Sequence, residues 1–213
     1  MKKNLKNILE SWPKNFIRDE DLARLLQTTD NARYAIVKRA FKSGDLVRLR
    51  KGLYLVACKT KQILPDQFEL ALLMYGPSII SLESALSYHG LIPEAVYTTT
   101  CVSPKRAQEF QTYIGIFSYK RVPAKGFYAS VDRITTPTGT ILIADPWRAL
   151  ADFMYVRRKY WKDLADLEGD MRIDAQTMLE SDHGSLKMLS DTYASPRVRV
   201  ALKRFLNEVT QKP

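Results

Sequence analysis

The chain has 213 residues, 46% of them hydrophobic and 26% charged, a balance that supports packed cores and excludes wholesale disorder. No apolar run approaches the roughly 20 residues that span a bilayer, and Met1-Lys2-Lys3-Asn4-Leu5-Lys6 has no apolar stretch behind it, so neither a membrane helix nor a secretory signal is expected. Two cysteines, Cys58 and Cys101, are too few for a disulfide framework or a four-thiolate zinc site, and the expected compartment is a reducing cytoplasm.

The net charge of +10 is unevenly distributed. Residues 1–62 hold 15 Lys and Arg against 6 Asp and Glu, residues 63–144 hold 6 against 6, residues 145–191 hold 7 against 10, and residues 192–213 hold 5 against 1. Nearly all the excess therefore sits in the first third. That asymmetry suits a polyanionic partner, nucleic acid or an acidic membrane surface, although on composition alone a solvated basic face accounts for it about equally well.

In chain order, Leu5, Ile8, Leu9 and Trp12 recur at helical spacing and Pro13 stops that helix. Asp19-Glu20-Asp21 places acids at the positive end of a second helix with apolar positions Leu22, Leu25 and Leu26. Thr28-Thr29-Asp30 supplies N-cap chemistry for a third helix over about 31–42, and Gly44 supplies its left-handed end. Leu46-Val47-Arg48-Leu49 and Leu53-Tyr54-Leu55-Val56 read as two strands around Arg50-Lys51-Gly52. Three helices, the last two joined by a short turn, followed by a hairpin give the order of a winged helix-turn-helix domain over residues 1–62.

Residues 63–213 read as an α+β domain with a mostly antiparallel sheet and a helical C-terminal third. A helix over Asp66–Met74 carries Phe68, Leu72 and Leu73 on one side; Ser81 caps another that runs through His89 to Gly90. Strand-like runs follow at Tyr97–Val102, Ile114–Tyr119, Phe127–Val131 and Thr140–Ile143. Asp145-Pro146 opens a helical remainder that is interrupted near Asp182-His183-Gly184 and Ser195-Pro196.

A helical wheel of the third helix predicts that Tyr34, Val37, Ala40 and Phe41 pack on the second helix, with Asn31, Ala35, Lys38, Arg39 and Lys42 opposite. A recognition helix needs such a pair of faces. Small Ala35 lets the helix sit deep in the major groove, Arg39 suits guanine O6/N7, and Asn31 suits adenine or a phosphate; Arg33 lies nearer the core. On the hairpin, Arg48 and Arg50 share a strand face by their spacing and Lys51 stands at the turn, all suited to phosphates or the minor groove. Arg197, Arg199, Lys203 and Arg204 form a second basic patch on a terminal helix.

Catalytic arrangements are not expected. His89 reads as a helix-end residue bonding local carbonyls and His183 as exposed; no Cys, His or acidic cluster has metal-ligand spacing, and no G-x-S-x-G or glycine-rich phosphate loop occurs. Pro65-Asp66 with Glu69 mimics the opening of a metal-dependent nuclease motif, but position 71 is Ala where a catalytic Lys is wanted. Cys101 reads as core. No cofactor and no metal are expected.

Residues Asp21-Leu22-Ala23 through Arg48-Leu49-Arg50-Lys51-Gly52-Leu53-Tyr54, then Ile80-Ser81-Leu82-Glu83-Ser84-Ala85-Leu86-Ser87-Tyr88-His89-Gly90-Leu91 and Ile143-Ala144-Asp145-Pro146-Trp147-Arg148-Ala149-Leu150, resemble the AbiE-type antitoxins (AbiEi) of bacterial type IV toxin–antitoxin systems. The resemblance covers about residues 16–155. It implies an N-terminal domain that represses its own operon at inverted repeats of double-stranded DNA. It also implies a C-terminal domain that counters a nucleotidyltransferase-like toxin without a stable complex, and makes His89 part of a packing motif. Two other readings stand beside it: a winged-helix regulator whose second domain senses a ligand or dimerises, with no toxin partner, and an enzyme such as a nuclease carrying a winged helix.

Overall fold

The computed structural model describes residues 5–58, 66–94 and 96–211. Helix accounts for 48% and strand for 21% of it, so the chain is α+β, with a mostly antiparallel sheet and a helical C-terminus. It divides into two compact units, one of residues 1–66 with 112–114, the other of 67–111 with 115–213. The boundary expected at 62/63, Pro65 of the nuclease-like stretch and the first four residues lie outside the described residues.

The first unit runs α1 (Leu5–Ser11), β1 (Phe16–Arg18), α2 (Asp19–Leu26), α3 (Asp30–Ser43), β2 (Leu46–Arg50) and β3 (Leu53–Val56). Its sheet has the order β1-β3-β2, both pairings antiparallel. Strand β1 is an element the sequence pattern hides: three residues between a proline turn and an acidic helix start are too few to show alternation, yet Ile17 is fully buried. Leu5 and Leu9 of α1, Leu22 and Leu26 of α2, Val37 and Ala40 of α3, and Leu46, Tyr54 and Val56 of the strands close one core with Ile17. The Thr29 hydroxyl caps α3 by accepting from the Ala32 N–H, and Gly44 ends it at φ 78°, where a Cβ would be strained.

The second unit runs α4 (Gln67–Met74), β4 (Ile79–Ile80), α5 (Leu82–Tyr88), β5 (Thr98–Ser103), β6 (Gln108–Thr112), β7 (Gly115–Arg121), β8 (Val131–Thr135), β9 (Thr140–Ala144) and α6 (Pro146–Arg157). Helices α7 (Leu164–Met171), α8 (Ala175–Glu180), α9 (His183–Thr192) and α10 (Pro196–Gln211) follow. The strand order is β6-β7-β5-β4-β9-β8. Pairs β5–β7 and β4–β9 are parallel, while β4–β5 and β8–β9 are antiparallel.

Two expectations for this unit are corrected. The run Phe127–Val131 is not a strand: residues 124–130 turn, and β8 begins at Val131. Gly126 and Ser130 adopt φ 68° and 56°, and the buried Arg148 guanidinium donates to the Gly126 and Ala129 carbonyls (3.1 and 2.8 Å), which holds the segment folded back. Helix α4 buries Glu69, Leu70, Ala71 and Met74, and Phe68, Leu72 and Leu73 are half-buried. Ser81 occupies the N-cap position of α5 without capping it, since its hydroxyl donates instead to Asp152 Oδ2 at 2.8 Å.

Candidate nucleic-acid interface

Helix α3 is amphipathic in the sense a docking helix requires. Val37 and Ala40 face inward with 5% exposure each, whereas Asn31, Ala35, Lys38 and Lys42 form one exposed row. At 3.6 residues per turn those four fall within an arc of about 60°. Arg39 stands beside the row and is tethered, its Nε donating to the Ala35 carbonyl at 3.3 Å. Arg33, at the margin of the core, pairs with Asp30 at 3.0 Å.

Tyr34 was expected in the core and is not there: it is 70% exposed. Ile36 packs against the core in its place. A wheel centred on Val37 and Ala40 puts Ile36 about 70° and Tyr34 about 90° from the inward direction, so both sit at the margin of the inward face and angle alone separates them only slightly.

A cleft of about 640 Å³ lies between α3 and the β2–β3 turn. Asn31, Tyr34 and Lys38 line it from the helix, Arg48, Lys51 and Gly52 from the hairpin, and Asp19 from the start of α2. The cleft thus brings Asn31 and Lys38 together with Arg48 and Lys51. Ala35, Arg39 and Lys42 lie on the open face of α3 outside its lining. The hairpin is anchored from behind. Tyr54 OH donates to Asp19 Oδ1 at 3.3 Å, the Tyr54 ring meets Phe41 edge-on at 5.3 Å, and the Asp19 N–H donates to the Gly52 carbonyl at 3.1 Å. Burial, then the Asp19 carboxylate, push the Tyr54 phenol above its ordinary value, so it stays a hydrogen-bond donor. Gly52 turns the chain at φ 77°.

The expectation that Arg48 and Arg50 share a face is corrected. The ladder shifts register between them, Arg48 opposing Tyr54 and Arg50 opposing Leu53, and this irregularity breaks the period of two. Arg48 is exposed, whereas Arg50 is half-buried, its Nη1 donating to the Lys51 carbonyl at 3.0 Å and its Nε buried without a partner among the described residues.

The four cations of α10 do not form one patch. Arg197 and Arg204 lie on one flank of the buried stripe Val198, Ala201, Leu202, Phe205 and Val209, and Arg199 and Lys203 lie on the other. Arg199 Nη1 donates to the Tyr193 carbonyl at 2.7 Å and Lys203 pairs with Asp191 at 3.4 Å, so that pair fastens α10 to the end of α9.

In the second unit, Ser81 and Arg148 join a buried network centred on Asp152 and Tyr193, two residues the sequence pattern does not single out. Asp152, fully buried, accepts from Ser81 Oγ, Arg148 Nε and Tyr193 OH at 2.8, 3.0 and 2.8 Å. Ser84 and Thr100 bond each other's backbone N–H, and His89 Nε2 bonds the Ala144 carbonyl at 2.9 Å. Cys101 is fully buried, and burial pushes its thiol well above the ordinary range, a poor environment for a nucleophile. Glu69 is buried, accepting from Thr138 Oγ1, and Asp66 is exposed. His183 is also exposed, its Nε2 bonding the Leu179 carbonyl. Among the described residues, no group of three or more His, Cys, Asp or Glu is placed to hold a metal ion, and no helix is long and apolar enough to cross a membrane.

Asp145 caps α6, its Oδ1 accepting from the Arg148 N–H at 2.7 Å and its Oδ2 from Ser185 Oγ. Burial raises its carboxyl above the usual aspartate value despite those bonds. The folded chain therefore holds this proton more tightly than the unfolded chain, and stability falls as pH rises through the window between the two values. Asparagine caps a helix equally well. The stability of Asp145→Asn relative to wild type, measured by denaturant titration at several pH values, is expected to shift in the variant's favour as pH rises through that window. A difference constant with pH contradicts the assignment.

The chain matches none of the protein-family models compared with it, and no curated protein is similar enough to be matched.

Proposed function

We propose that the chain is a DNA-binding transcriptional autorepressor and the antitoxin of a type IV toxin–antitoxin system, acting in the cytoplasm without catalysis of its own. Its first unit is read as a winged helix-turn-helix, α2 and α3 being the helix pair and the β2–β3 turn the wing. One observation carries the DNA reading: Asn31 and Lys38 of the exposed row of α3 and Arg48 and Lys51 of the hairpin border one cleft, within a segment whose net charge is +9 over residues 1–62. The element order and the β1-β3-β2 sheet, which lays the first strand against the second strand of the hairpin, support the same reading. Helix α3 enters the major groove with Arg39 reading a guanine edge, and Lys38, Arg48 and Lys51 take phosphates.

Mobility shift on duplex from the chain's own upstream region tests this. Arg39→Ala is expected to cost about 1–3 kcal/mol on that duplex and to relax specificity at one position. Lys51→Ala is expected to weaken all duplexes alike and to lower the salt slope by about 0.9, the share of one phosphate. Equal binding of wild type and Arg39→Ala to scrambled and upstream duplexes overturns the base-reading assignment.

The antitoxin half rests on the resemblance of the Ser81–Leu91 and Asp145–Leu150 segments and on the fact that both feed one buried network through Ser81, Arg148 and Asp152. It counters a nucleotidyltransferase-like toxin without forming a stable complex. A second reading, a regulator whose second unit senses a small ligand, is favoured by a cleft of about 420 Å³ bordered by Glu83, Tyr97, Lys120 and Arg157. Co-expression of the full chain with the product of the adjacent gene separates the two: restored growth supports the antitoxin, and a neighbour with no toxicity leaves the ligand-sensing regulator.

A further inference from the structure

We infer that Tyr34 is a specificity-determining residue that packs its ring on the C5-methyl group of a thymine in the major groove; the inference rests on the DNA reading above. Tyr34 is 70% exposed and, with Asn31 and Lys38, lines the cleft between α3 and the hairpin turn. The other rings around this cleft are occupied, Phe41 packing edge-on against Tyr54 and Tyr54 bonding Asp19. Among the described residues no hydrogen bond ties the Tyr34 hydroxyl, and the ring takes no part in the core cluster.

Residue 34 lies in the second turn of α3, three residues after Asn31 and four before Lys38, so all three side chains lie along one edge of the helix. A helix that docks by its N-terminal half presents such residues to base edges. Of the groups a base pair displays in the major groove, the thymine methyl is the apolar one. An exposed ring flanked by a phosphate-seeking lysine and an amide is matched to that methyl: the neighbours set the approach and the ring supplies contact area. The competing role is a phosphate bond from the hydroxyl, and removal of the hydroxyl alone tells the two apart.

The test uses the full-length protein. Duplexes are selected from a random library, and each thymine of the best site is replaced in turn by deoxyuridine, which removes only the methyl. Affinities are read by fluorescence anisotropy for wild type, Tyr34→Phe and Tyr34→Ala. At one thymine the wild type is expected to lose about three- to fivefold, the worth of one buried methyl, and Tyr34→Phe is expected to lose the same. Tyr34→Ala is expected to bind the thymine and deoxyuridine duplexes equally. The inference is overturned if no thymine matters, if Tyr34→Ala keeps the full discrimination, or if Tyr34→Phe weakens every duplex alike as the loss of a phosphate bond would. A wild type that selects no duplex removes the DNA reading itself; one that selects a site but shows no methyl dependence removes only the role of Tyr34.

Discussion

Reversing Lys38, Arg48 and Lys51 together to glutamate is expected to abolish repression and to weaken duplex binding by on the order of a thousandfold at physiological salt. Each reversal replaces an attraction to a phosphate by a repulsion, about 1–2 kcal/mol apiece after solvent and salt screening. The three side chains are exposed, and none has an ion pair among the described residues. Melting of the variant is therefore expected to stay within about 0.5 kcal/mol of wild type, as for surface substitutions away from caps and cores. The anchors that hold the hairpin, Tyr54–Asp19 and Phe41–Tyr54, are untouched. The same variant separates the two proposed activities: with a toxic neighbour co-expressed it is expected to restore growth while a promoter reporter is released. Loss of both readouts in a folded variant contradicts the assignment of the antitoxin role to the second unit.

The largest stability effect is expected at Asp152. Its carboxylate is fully buried and accepts from Ser81, Arg148 and Tyr193, and Arg148, 3% exposed, loses this acidic partner when the carboxylate is removed. Asp152→Ala is expected to cost about 3–5 kcal/mol, because the guanidinium then sits buried without a counter-charge among the described residues, bonded to the Gly126 and Ala129 carbonyls. Replacing Arg148 and Asp152 together by apolar residues of similar volume is expected to recover most of that loss, since no lone charge remains. Denaturant titration followed by tryptophan fluorescence reads the effect; Trp147 and Trp161 both lie in the second unit and are buried. A cost below about 1 kcal/mol for Asp152→Ala contradicts a stabilising role for the network.

The helices of the first unit were legible because each carries its own punctuation. The Asp19–Asp21 acids, the Thr29 cap and Gly44 mark boundaries that the structure places within a residue or two. Strands β1 and β4 were not legible: three and two residues cannot display a period, and their existence is decided by partners far away in sequence, Leu53–Leu55 for β1 and Cys101, Val102 and Ile143 for β4. Parallel pairing of β5 with β7 was hidden for the same reason, since β6 intervenes in sequence and is placed at the sheet edge.

Of the site, the outward row of α3 and the turn lysine could be read from spacing alone. The irregularity at Arg48–Arg50 could not, because a register shift leaves no composition signal in Leu46–Arg50. Tyr34 and Ile36 stand at nearly the same angle on opposite margins of the inward face, so spacing does not tell which of them packs; the structure packs Ile36 and leaves Tyr34 exposed. The terminal cations were over-read as one patch, although the stripe from Val198 to Val209 already divides them into two flanks.

In the proposed function the first unit holds duplex DNA through α3 and the cationic turn of the hairpin. The most direct measurement is a titration of the intact protein with its own upstream duplex and with a scrambled duplex, by anisotropy across a range of salt. Log affinity is expected to fall linearly with log salt, with a slope of about −3 from Lys38, Arg48 and Lys51 and steeper if Lys42 joins them. The upstream duplex is expected to be preferred by at least about a thousandfold. No binding at low salt, or equal and salt-insensitive binding to both duplexes, contradicts this function.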